Sequence, residues 1–225
     1  FSAIQADFLL KNEIESINRI ILSLFELIII NDEFLKWLSK LDKICHHFHL
    51  SLQSGCNETL KRMNRRYTTE EFKKVVDLLR NTYDDVILTT DIIVGFPGET
   101  EEEFNCTYEF LKDIKFYKMH VFKYSRRKGT KADLMENQTM PNIQDERSKR
   151  LLKLSDENQE AYNKKYIGKE VEVLFEEKDG ECIKGHTENY IVVKVKNKNV
   201  NEYHNEIAKV KIRDGGVEEI HGEIL

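Results

Sequence analysis

The sequence predicts an α/β fold: a partial (β/α) barrel of parallel strands followed by a small all-β barrel. Three observations carry this reading. Apolar runs alternate with helical patterns three times before residue 115, the signature of βα units. After Pro141 the alternation stops, and residues 143–165 read as one long, charged helix almost free of breakers. From Lys169 onward the text turns into short strands of period two separated by turn residues. With 225 residues and 40% hydrophobic content the chain can bury a substantial core. The expected organisation is a (β/α) unit over 1–142, a connecting helix over 143–165 and a β-barrel over 166–225.

Arg19 to Ile30 is the first apolar run, followed by a helix over Asp32 to Leu41. Phe48 to Ser54 is the second; Gly55 ends it, and Thr69 to Arg80 places Phe72, Val75, Val76 and Leu79 at helical spacing. Val86 to Gly95 is the third, broken by Pro97-Gly98, after which Thr100 stands three residues before Glu103 as in a capping box. Met119 to Tyr124 makes a fourth strand. Val171-Val173-Phe175, Tyr190 to Val195 and Ile207 to Ile212 are strands of the second unit, with Asp179-Gly180 and Asp214-Gly215-Gly216 as turns. A five-stranded barrel is the most economical closure.

The net charge of −5, with 33% charged residues, gives no global attraction to nucleic acid or membrane, so an anionic partner must meet a local patch. The most apolar stretch, Ile20 to Ile30, is interrupted by Ser23 and Glu26 and is half of the roughly 20 residues that cross a bilayer. No membrane partner is expected. Cys45, Cys56, Cys106 and Cys182 are scattered, without a CxxC or a signal peptide, which argues against a disulfide framework and fits a reducing cytoplasm.

One strand is two-faced. Phe48, Leu50 and Leu52 share one side; His47, His49, Ser51 and Gln53 share the other. A sheet covered by helices on both sides would be apolar on both. A polar face is expected where a sheet curls around a ligand cavity. The asymmetry recurs in "LTTDIIVG", where Thr89 and Asp91 oppose Thr90, Ile92 and Val94, and in "KMHVFKYS", where His120, Phe122 and Tyr124 oppose Met119 and Val121. One polar lumen lined by three strands is the expectation. His47 and His49 lack a third ligand at diagnostic spacing, so no metal site is assigned. "GFPGE" lacks the lysine and hydroxyl residue of a P-loop and does not match GxGxxG; its interest lies in its place directly after the Asp91 strand, where parallel sheets build sites.

"HFHLSLQSGCNETLKRMNRRYT", "TTDIIVGFPGETEEEF" and "HVFKYSRRKGTKA" resemble consecutive blocks of the radical S-adenosylmethionine methylthiotransferases, and their wording resembles the subgroup that modifies N6-threonylcarbamoyladenosine beside the tRNA anticodon. The likeness runs from about Ile44 to the C-terminus, and "GHTENYIVVKV" resembles part of that family's RNA-binding TRAM domain. The resemblance implies a partial barrel that holds S-adenosylmethionine. It implies that Gln53 and Ser54 end one strand near the cofactor. Asp91, Ile93 and Gly95 would flank its adenosyl and methionyl parts, and Phe122 and Tyr124 would approach the adenine. Arg65 and Arg66 suit either the cofactor carboxylate or a tRNA phosphate. Arg126, Arg127 and Lys128, in "KYSRRKGTK" after the fourth strand, are candidates for RNA contact at the rim.

The implied reaction starts at a reduced iron–sulfur cluster that cleaves the cofactor; the 5′-deoxyadenosyl radical abstracts hydrogen from the adenine, and a methylthio group is installed at C2 of tRNA position 37. The family holds two [4Fe-4S] clusters, one on a CxxxCxxC triad and one on three further cysteines. None of the six has a counterpart here, so the chain resembles the C-terminal half of the enzyme, as a fragment, a truncation or a decayed copy would. On this reading the isolated chain is inactive, the catalytic residues are unassigned, and a separate N-terminal half is a candidate partner beside the anticodon loop. The alternatives are a non-catalytic RNA- or cofactor-binding remnant, or a relative acting on isopentenyladenosine. Before residue 44 the likeness weakens: Ile21, Leu24 and Leu27 stand where relatives carry arginine, serine and proline, and Glu26 alone keeps its acidic match. Residues 166–225 hold nine Lys or Arg against thirteen Asp or Glu, an acidic balance for an RNA-binding unit.

Overall fold

The computed structural model describes residues 13–14, 17–25, 29–196 and 203–225; the side chains of residues 23–25, and with them Leu24, lie outside that description, as do Glu26 and Leu27. Strand β1 (Ile20–Phe25), helix α1 (Asp32–Leu38), strand β2 (Ile44–Gln53), helices α2 (Asn57–Arg62) and α3 (Thr69–Thr82), strand β3 (Ile87–Val94), helix α4 (Glu101–Ile114) and strand β4 (Lys118–Lys123) form the first unit. Its four strands are parallel, in the order β1-β2-β3-β4. That sequential order matters. Right-handed crossovers that always add the next strand on the same side place every helix on one face of the sheet. Phe34, Phe72, Val76, Phe104 and Leu111 from those helices pack with Leu50, Leu52, Ile92 and Met119 from the strands, and the opposite face is left to the polar side chains. An α/β sheet with a polar inner face is the fold the sequence predicts.

Local signals explain the element ends. Thr68 and Thr100 both close complete capping boxes, with Glu71 and Glu103. Helix α2 begins two residues after Gly55, within what the sequence reads as a turn, and buries only Thr59 and Leu60; six residues carry too little periodicity to announce a helix.

Helix α5 (Pro141–Lys164) starts on a proline in its first turn, where the missing N–H costs nothing. It also packs along the sheet: Leu151 and Leu154 join the first core, and the Met119 N–H on edge strand β4 donates to Ser155 Oγ at 2.9 Å. Strands β5 (Glu170–Asp179), β6 (Cys182–Thr187), β7 (Val192–Lys196), β8 (Ile207–Gly215) and β9 (Ile220–Ile224) close into a barrel of order β5-β6-β7-β9-β8. Gly185 permits the closure: a Cβ there would stand 2.1 Å from the Leu174 carbonyl oxygen. The barrel core of Val173, Phe175, Ile183, Val193, Val210 and Ile212 continues into Ile87 and Tyr117 at the start of β3 and just before β4.

Candidate functional site

The polar face is built by register. β2 and β3 pair His49 with Thr89, and β3 and β4 pair Asp91 with His120 and Ile93 with Phe122, so these side chains rise on one side of adjacent strands. At the C-terminal ends of β2–β4, Asp91, Ile93 and Phe122 join Gln53, Phe96, Lys123, Tyr124, Ser125, Arg127, Thr130 and Ala132 around a cavity of about 500 Å³. Gln53 sits in a left-handed conformation (φ 69°) where the β2–β3 register slips, and the Tyr67 hydroxyl, donating to the Ser51 and Leu52 carbonyls at 2.7 and 2.9 Å, pins the strand just before it. Phe96 meets Tyr124 edge to face at 5.3 Å. The buried Tyr124 hydroxyl has no hydrogen-bond partner among the described residues, an unmet donor in a cavity wall.

The GFPGE turn is held from behind. Gly95 (φ 72°) donates its N–H to Glu99 Oε2 at 2.6 Å, and a Cβ on Gly95 would stand 2.4 Å from Gln144 Cγ, so only glycine fits. Glu99 is almost wholly buried, and burial lifts its carboxyl above the usual range despite the Arg147 guanidinium at 2.7 Å. That pair fixes the turn. The sequence offers no signal for it, because Arg147 lies 48 residues away on α5.

Of the residues singled out in the sequence, Gln53, Asp91, Ile93, Phe122, Tyr124 and Arg127 meet at the cavity. Ser54 is fully buried and hydrogen-bonded to Thr107 Oγ1 at 3.1 Å; Gly95 sits behind the wall. Arg65, Arg66 and Lys128 are exposed, and Arg126 is tied to Asp133 at 3.0 Å. Phe96, Lys123, Ser125, Thr130 and Ala132 are lining residues that strand alternation did not single out as a site.

The single lumen predicted from the strands is divided. His47, His49, Thr89 and His120 line a second cavity of about 460 Å³, closed on the far side by Tyr190, Val192 and Glu218 of the barrel. Tyr190 stacks on His186 at 4.2 Å and covers His47 at 5.1 Å. The barrel therefore seals the lower half of the polar face, and the two halves meet where His49 Nε2 lies 3.2 Å from Asp91 Oδ2.

The four cysteines stand apart in the fold. Cys45 is buried in β2, its thiol pushed up to about 11 chiefly by burial, and Cys106 is exposed on α4. Among the described residues no three cysteines gather, so a [4Fe-4S] cluster does not fit the thiols present.

Residues 4–111 match the family model described as the radical SAM superfamily. The threonylcarbamoyladenosine tRNA methylthiotransferase MtaB of Bacillus subtilis is 40% identical over 221 residues, 96% of this chain and 49% of that protein. A tRNA-2-methylthio-N(6)-dimethylallyladenosine synthase of Caldicellulosiruptor saccharolyticus is 38% identical over 95% of this chain and 45% of its own length. A probable threonylcarbamoyladenosine tRNA methylthiotransferase of Methanocaldococcus jannaschii is 45% identical over 82% of this chain and 41% of its own length. The chain thus spans about half the length of the curated relatives it matches, or less. Among solved structures, coproporphyrinogen III oxidase (HemN) from Escherichia coli, described as a radical SAM enzyme, superposes with a TM-score of 0.51 at 12% identity, over 85% of this chain and 50% of that one, a likeness of fold alone. Residues 4–111 are thus similar to the radical SAM superfamily, and most of the chain is similar to about half of these tRNA methylthiotransferases.

Proposed function

We propose that the chain is the cofactor- and tRNA-reading part of a tRNA methylthiotransferase, acting on N6-threonylcarbamoyladenosine beside the anticodon. The observation that carries the reading is the upper cavity, placed at the C-terminal ends of three parallel strands and walled by a carboxylate, an amide and three aromatic rings. S-adenosylmethionine fits these residues: Phe122 and Tyr124 offer faces for the adenine, Asp91 and Gln53 offer polar groups, and the unpartnered Tyr124 hydroxyl awaits an acceptor. Bound there, the cofactor would supply a 5′-deoxyadenosyl group for hydrogen abstraction. The chain's own residues bind it, orient it and exclude water, with the Glu99–Arg147 pair holding the rim turn. Cluster thiolates have no counterpart within residues 1–225, so the reductive step lies outside what these residues perform.

RNA contact is assigned to Arg127 and Lys128 at the rim, to Arg126, and to Arg65 and Arg66. The barrel is read as a TRAM-like unit, and its acidic balance leaves the phosphate contacts to this rim. A second reading, modification of dimethylallyladenosine, is favoured by the relative of that name. Chemistry separates the two. The threonylcarbamoyl group carries a carboxylate; the dimethylallyl group carries none. Arg127 lines the cavity and has no ion-pair partner among the described residues, whereas Lys123 is paired with Asp145 at 2.8 Å. A charge-assisted bond from Arg127 is worth about 1.5–3 kcal/mol, roughly tenfold to a hundredfold in affinity.

The test is binding of two anticodon stem-loops, one with each modified adenosine, to the 225-residue chain and to Arg127→Ala. The threonylcarbamoyl RNA should bind at least about tenfold more tightly, and Arg127→Ala should remove that preference. Binding of neither RNA overturns the function; a preference for the dimethylallyl RNA replaces the substrate with the second one.

A further inference from the structure

A cluster of possible ligands stands where the two cavities meet and shares Asp91 with the upper site. His49 on β2, Asp91 on β3 and His120 on β4 each present one ligand atom, and the three atoms lie within 4.8 Å of one another. We propose that His49, Asp91 and His120 form a binding site for one divalent first-row transition-metal ion, held on one side by two imidazoles and a carboxylate.

Two imidazoles and a carboxylate on one face, with positions left open, are a donor set for such ions. Ions of this class sit roughly 2.0–2.2 Å from nitrogen and oxygen ligands, which requires ligand atoms about 3.0–3.4 Å apart. His49 Nε2 and Asp91 Oδ2 already stand at 3.2 Å. His120 is exposed and makes no hydrogen bond or ion pair among the described residues, so a side-chain rotation brings it in. Its ring lies 5.8 Å from that of His49.

The outer shell is also in place. His49 Nδ1 meets Thr89 Oγ1 at 3.0 Å, which leaves Nε2 directed at Asp91, the orientation a metal-binding imidazole takes when its other nitrogen is held. The same hydroxyl meets His47 Nε2 at 3.2 Å, while the buried His47 Nδ1 has no partner among the described residues. In the metal-free protein this chain is satisfied by His47 donating to Thr89, Thr89 donating to His49, and His49 Nε2–H donating to Asp91. An ion on Nε2 needs the His49 proton on Nδ1, so on binding the chain runs the other way, with His49 Nδ1–H donating to Thr89 and Thr89 donating to His47 Nε2, and both imidazoles stay neutral. The site does not rest on the tRNA reading, since its donors and outer shell are defined without cofactor or RNA.

The experiment is titration of the 225-residue chain with Co²⁺, followed by visible absorption and by displacement with Zn²⁺. One equivalent should bind, with d–d bands and no thiolate-to-cobalt charge transfer, and Zn²⁺ should displace it. Thr89→Val should weaken binding about 10–100-fold, and His120→Ala at least as much. Because His120 is exposed, its variant should keep the parent's far-ultraviolet circular dichroism, so that lost binding reports a lost ligand. Absence of saturable binding, binding unchanged in His120→Ala, or thiolate charge transfer that places the ion on a cysteine would overturn the proposal.

Discussion

His47 sits where a strand's polar face meets the barrel. It is buried, and burial, reinforced by the neighbouring imidazoles of His49, His186 and His120, pulls its pKa down to about 4. In the unfolded chain the group titrates near 6.5. As pH falls below 6.5 the unfolded chain takes up a proton that the folded one refuses, so stability is full above 6.5 and declines as pH drops toward about 4, by about 3 kcal/mol. His47→Phe keeps a ring beside Tyr190 and should flatten that part of the curve. Urea unfolding at steps between pH 7 and 4 checks it; parallel curves for parent and variant would contradict the buried, neutral state. Alternation alone announced the polar face that holds His47, but its pKa depends on Tyr190, 143 residues away in the sequence, because the ring that covers the imidazole belongs to the barrel.

At the level of elements, α5 shows what periodicity leaves out. The charged, breaker-free stretch over 143–165 reads as a helix from propensity alone, and the helix forms. What it does there depends on a few small side chains. Ser155 accepts the Met119 N–H of edge strand β4, a donor with no strand partner. Ser155→Ala leaves that buried N–H unsatisfied and should cost about 1–3 kcal/mol, read as a lower urea midpoint with an unchanged slope. Hydrogen exchange at the Met119 amide should accelerate in step. An unchanged midpoint together with unchanged exchange would show that α5 does not protect the edge.

For the whole molecule, the decisive residue is Asn163 at the end of α5, fully buried between the two units. Its Oδ1 accepts from the Tyr117 hydroxyl at 3.1 Å, and its Nδ2 donates to the carbonyls of Gly216 and Val217 at 2.8 and 2.9 Å. Asn189 adds a second tie, donating to the Asp85 carbonyl at 2.8 Å and to Tyr166 Oη at 2.6 Å. Asn163→Ala removes three bonds and should lower stability by roughly 2–4 kcal/mol. It should also raise hydrogen exchange along β8 and β9 more than along β2. A loss below about 1 kcal/mol, spread evenly over both units, would mean that apolar packing through Ile87 and Tyr117 suffices to dock the barrel.

The sequence by itself determined the kind of each long element and the two-faced character of β2, β3 and β4. It also determined the capping box at Thr100, since periodicity and caps are local and travel with the residues that carry them. Only the tertiary structure decided how the polar face is shared. The barrel occupies its lower half, so the single lumen becomes two cavities. His49 acquires Asp91 and His120 as neighbours across 42 and 71 positions of chain, because parallel register, not linear spacing, sets which side chains on adjacent strands stand side by side.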